Sequence, residues 1–229
     1  MPHLLTAPRL FALLLCLFAP WSRAEPVAVQ SHGMVLAAPA PDALPCTEAD
    51  FGAVQIRIGL HASLAACFRD VPLPATSGTA FVSIPREFES RVVSQADFER
   101  FRNEVIEVEN ASRRAEDERR QRRELGKSDA EPAPRTVPLG VFDDAPGRVG
   151  YAYAYALIER DDKGKTEIRT MMRTESFILV NGRVVLLMLV APIDDGDMAS
   201  NTFDMSEAWA RTIIAENAPR AAAATLRLN

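Results

Sequence analysis

Histidine and cysteine are scarce in this chain and glycine-rich phosphate loops are absent, and each shortage removes a class of chemistry. The three histidines are His3, His32 and His61, and the cysteines also number three. None of them stands at the His/Cys spacing of a zinc site. No Gly-rich phosphate loop and no Gly-x-Ser-x-Gly elbow is present. Asp194, Asp195 and Asp197 surround Gly196 but lack the ligand spacing and closing glutamate of an EF-hand, so that stretch reads as an acidic turn. No residue set points to catalysis, and the chain is read as non-enzymatic, with no cofactor and no metal.

Basic charge is also short. The N-terminal stretch MPHLLTAPRLFALLLCLFAPWSRA has Arg9 in a positive leading region, an apolar run from Leu10 to Ala19 and a small residue, Ala24, at its end. It reads as a secretory signal peptide over residues 1–24. Its cleavage removes two of the 26 basic residues, Arg9 and Arg23, and none of the 31 acidic ones, which moves the formal charge from −5 to −7. A general nucleic-acid binder needs the opposite balance to neutralise phosphates. The address expected is the periplasm or the exterior.

A long unbroken apolar run is missing beyond the leader. The most apolar stretch, FILVNGRVVLLMLVAP from Phe177 to Pro192, is interrupted by Asn181-Gly182-Arg183. What remains is far short of the ~20 residues of a membrane helix.

The pattern that is present predicts one α/β domain over residues 46–219. Residues 25–45, rich in Ala and Pro, read as a flexible lead-in, and residues 220–229 as a disordered tail. Cys46 and Cys67 remain after cleavage. In an exported chain an even pair suggests a disulfide, closing about 20 residues for roughly 3 kcal/mol; two buried thiols are the alternative. Val54 to Gly59 alternates like a short strand, LHASLAACFRD reads as a short helix, and Thr79 to Pro85 as a strand.

Ser94, with Asp97 three residues on, predicts a helix start. Phe98, Phe101, Val105 and Val108 then form one apolar face. Beyond Val108 the stripe ends in a charged extension, residues 112–126, followed by a linker at 127–135. Six arginines stand there: Arg113, Arg114, Arg119, Arg120, Arg122 and Arg123. The extension reads either as a solvated helix with i,i+4 pairs or as an arm for a protein partner, since arginine is enriched at interfaces.

From Val137 onward three turn signals, ending in Asn181-Gly182, separate four strands of an antiparallel meander. Asn-Gly fixes one register, with Val180 opposite Arg183 and Phe177 opposite Leu186. A four-residue turn at 161–164 would set Tyr153 opposite Met172. Tyr151, Tyr153 and Tyr155 then share a face with Thr170 and Thr174, which is either a ligand-binding wall or core. Asp204 is a candidate cap for a last helix that ends before Pro219. The expected class is thus α+β: a meander of four or more strands covered by helices, like an α/β/α sandwich.

The segments TAFVSIPREF, VPLGVFDDAPGRVGYAYAYAL and SFILVNGRVVLLMLVAP, the last followed by SEAWARTIIAENAP, give the order strand, long helix, meander, C-terminal helix. Over residues 75–219 this order resembles the PsbP-like α/β/α sandwich group. The resemblance implies a small, non-enzymatic accessory or protein-binding domain. A small-ligand or lipid carrier built on the tyrosine/threonine face is the alternative.

Overall fold

The computed structural model describes residues 28–52, 61–74, 76–124, 136–160 and 164–219. The expected signal peptide, the strand at Val54 to Gly59, the linker and the tail lie outside them. Seven antiparallel strands form the central sheet in the order β3-β4-β5-β9-β8-β7-β6. They are β3 (Leu44–Pro45), β4 (Ala62–Leu73), β5 (Thr76–Pro85), β6 (Thr136–Ala145), β7 (Arg148–Arg160), β8 (Thr166–Val180) and β9 (Arg183–Pro192). The expected meander is β6 to β9, and the class is α+β with helices on the sheet.

Asn181 and Gly182 adopt φ of 50° and 78°, the left-handed pair that a type I′ hairpin requires. The β8–β9 register follows as expected, with Phe177 opposite Leu186 and Val180 opposite Arg183. The β7–β8 register differs. Arg160 pairs with Thr166 and Tyr153 with Arg173, so the connection is one residue longer than a plain turn at 161–164. A slip of one residue transfers every side chain of a strand to the other face.

Two helices cover opposite faces. The C-terminal helix, α3 (Gly196–Glu216), lies on the back. Its cap is Asp195, whose side chain accepts from the Met198 amide at 2.8 Å, and not Asp204, which lies within the helix. The acidic stretch taken for a turn is therefore a helix start, with Asp197 stabilised by the positive end of the helix dipole. Trp209, Ala210 and Ile213 pack on Val82, Ile178, Leu187 and Leu189.

The lead-in is folded from residue 28 on. Strands β1 (Ala28–Ser31) and β2 (Met34–Ala37) form a hairpin. Its turn is His32-Gly33, again with two positive φ values. Met34 and Leu36 bury against the back core. Trp209 Nε1 donates to the Ala37 carbonyl at 2.7 Å, and the Asn217 side chain bonds both backbone groups of Val35. An Ala/Pro composition conceals this because the two anchoring apolar residues are few. The expected helix at LHASLAACFRD is β4. Its alanines favour helix locally, but pairing with β5 and the bond from Cys67 to Cys46, Cα atoms 5.3 Å apart, override that preference.

On the front, a short helix α1 (Arg86–Glu89) precedes α2 (Gln95–Glu124). Ser94 caps α2: its Oγ accepts from the Asp97 amide at 3.1 Å and donates to Asp97 Oδ2 at 2.7 Å. The Val93 amide bonds the Gly182 carbonyl at 2.7 Å, which fixes α2 over the β8–β9 turn. Phe98 and Val93 bury there with Phe88 and Val184. Glu99 then accepts from the Gly147 amide, and Arg102 pairs with Asp144. The helix is thereby drawn toward the β6–β7 edge.

Candidate functional site

That course of α2 decides where the front face stays open. Along β8 and β9 the side chains alternate between buried and half-buried, the back row sealed and the front row only partly covered. Over β5, β9 and β8 a groove of about 790 Å3 remains, with Phe81, Phe177, Leu186, Met188, Val190 and Met171 in its lining. Its size and apolar lining match those of a small-molecule pocket. The two methionines add a surface that can adapt to more than one shape.

The polar groups along the groove are Ser83, Arg173, Glu175, His61 and Glu87, with Thr79 and Tyr155. Arg173 Nε stands 2.7 Å from Glu175 Oε1 as an ion pair, though not at a hydrogen-bonding angle. Its guanidinium lies over the Tyr153 ring at 5.5 Å. Glu175 Oε2 accepts from the Tyr151 hydroxyl at 2.6 Å, and Glu109 of α2 accepts from the Tyr153 hydroxyl. Burial, then the charge of Glu175, holds the Tyr151 phenol well above its ordinary value. Burial, then the bond to Glu109, does the same for Tyr153. Both phenols are thus neutral donors, and the network forms the wall between α2 and the groove.

Tyr151, Tyr153 and Tyr155 do share a face, but with Met171, Arg173 and Glu175. Thr170 and Thr174 are on the other. Thr174 is buried on the back, its Oγ1 2.6 Å from Ser206 Oγ of α3, and Thr170 is exposed. The tyrosine/threonine wall does not form; of its members only Tyr155 borders the groove. The missed residues, Phe81, Ser83, Met188 and Val190, were detectable as apolar or small side chains on both faces of β5 and β9. How far α2 covers them is a tertiary fact.

The charged extension of α2 is partly seated. Val108 is 61% exposed, and the buried stripe continues instead through Glu109 and Glu116. Gly140 of β6, at φ +102°, lies under Arg113: a Cβ there would come within 2.7 Å of Arg113 Nη1. The extension so shields the edge strand β6. Arg119 pairs with Glu116, Arg120 with Asp117 and Arg122 with Glu118. Arg114 and Arg123 are exposed and have no ion pair among the described residues.

Among the described residues no group of His, Cys, Asp or Glu could hold a metal ion, and no helix is long and apolar enough to cross a membrane. A comparison of the chain with protein-family models, with curated proteins and with solved structures finds no match.

Proposed function

We propose that the chain is an exported, non-enzymatic binding protein of the cell envelope, and that the front groove holds its ligand. The single observation carrying this is an apolar sheet face left open over three strands while the opposite face is sealed. A sheet apolar on both sides needs cover on both, and a bound apolar molecule supplies it. The Cys46–Cys67 disulfide supports an oxidising compartment, periplasmic or secreted. The order of strand, long helix, meander and C-terminal helix supports kinship with the PsbP-like group.

The test is a titration with N-phenyl-1-naphthylamine, an uncharged dye that fluoresces in apolar sites. Saturable, stoichiometric binding by the native chain, lost in Met188→Glu with an unchanged circular dichroism spectrum, is the expected result. Equal binding by both proteins would contradict the groove.

A second reading has its own support in Arg114 and Arg123, exposed and without an ion pair among the described residues: docking of an acidic protein partner on the long helix. Reversing both charges and repeating a pull-down from the envelope fraction tests it. Unchanged partners would count against this arm.

A further inference from the structure

We infer that the groove selects an uncharged, elongated apolar molecule bearing one hydroxyl or carbonyl, in preference to a free fatty acid or a phosphate-bearing lipid. This deepens the groove reading and rests on it. Charge and one unpaired hydroxyl set this preference.

Among the described residues along the groove there are one arginine and one histidine, His61, against two glutamates, Glu175 and Glu87. The charge of that arginine is already balanced by a carboxylate. Arg173 is paired with Glu175 at 2.7 Å and lies over the Tyr153 ring. The next cation along this face, Arg169, is paired with Glu167 at 3.0 Å on the exposed end of the β7–β8 ribbon. A carboxylate or phosphate head would therefore lose its water beside two carboxylates and meet an arginine whose charge one of them already balances, which is costly in an apolar site.

A neutral polar group meets a different situation. Ser83 is fully buried and borders the groove, and its Oγ has no hydrogen-bond partner. A buried hydroxyl without a partner is unfavourable. Its presence on β5, on the same face as Phe81, gives the floor a buried donor-acceptor beside the apolar side chains of β9. A hydroxyl or carbonyl on the ligand would satisfy it, and the chain of the ligand would lie along Met188 and Val190.

The experiment is displacement of N-phenyl-1-naphthylamine from the full, disulfide-bonded chain by 1-decanol and by decanoate at neutral pH. These match in length and differ in head charge. Decanol should displace the dye at least ten-fold more effectively. Equal or better displacement by decanoate would overturn the choice of an uncharged ligand while leaving the groove reading intact. No saturable dye binding at all would remove both.

Ser83→Ala should weaken decanol about 3- to 10-fold, the range of one hydrogen bond, with the dye's own affinity unchanged. An unaltered decanol affinity would overturn the role of the hydroxyl. Sedimentation of the ligand-free chain adds a further control. A dimer that Met188→Glu dissociates would assign the groove to a second copy and overturn the proposal, whereas a monomer supports it.

Discussion

The two faces of the central sheet carry comparable apolar rows and end in different states. On the back, Ile178, Leu187 and Leu189 lie under Trp209 and Ile213, with the β1–β2 hairpin closing the far side. On the front, Phe177 meets Phe101 of a helix that veers off toward β6, and Leu186 and Met188 stay open in the groove. The difference does not come from the strands. It comes from where each helix is tied: α3 to the hairpin through Trp209 and Asn217, α2 to two turns of the meander through Val93 and Glu99. A face is a core or a binding surface according to its cover, and here one sheet has one of each.

Breaking the back should therefore cost most. Trp209→Ala removes the largest fully buried side chain among the described residues and its bond to Ala37, and about 3–5 kcal/mol should be lost, read as a shift in the urea midpoint. The disulfide comes next: replacing Cys46 and Cys67 together by serine should cost about 3 kcal/mol, measured the same way. Tyr153→Phe leaves the buried Glu109 without its donor at the wall between helix and groove. That should cost about 1–3 kcal/mol, and the same denaturation curves would show it.

A smaller effect should appear as a pH trend at the edge where the back helix is tied. Asp143 binds Arg148 Nε through both oxygens, at 2.9 and 2.7 Å, and Arg148 pairs with Glu207 of α3. Burial raises the Asp143 carboxyl above its ordinary 3.8 against the pull of Arg148. A raised folded value means the folded chain holds this proton more tightly than the unfolded chain. Its contribution is thus complete below the unfolded value and is lost as pH rises through the folded one. The stability gap between the native chain and the non-titrating Asp143→Asn should narrow as pH rises through the carboxylate range. The smallest change is expected on the open face: Met188→Ala should cost about 1 kcal/mol or less, because that side chain is only partly buried.

Much of the frame was legible in the chain. Asn181-Gly182, Ser94 with Asp97, and the run to Pro85 each depend on local chemistry, and each forms the expected turn, cap or strand end. The faces were legible only up to the β7–β8 connection. One residue more there moved Thr174 to the back and put Arg173 and Glu175 with the tyrosines. The hairpin of residues 28–37 and the strand at Ala62–Leu73 depend on partners far away in sequence, Trp209 and β5, and composition does not reveal such partners. The groove was least legible, because it is defined by what a helix fails to reach.

Met171 and Met172 are adjacent, yet the first borders the groove and the second is buried on the back. Their methyl groups report separately on the two faces. The decisive measurement is a spectrum of the chain labelled with [13C]methyl-methionine during titration with 1-decanol. Saturable shifts of Met171 and Met188, with Met172 and Met34 unmoved, are the predicted result. Four methyls that stay still, or that all move together, would contradict a binding site confined to the front of the sheet.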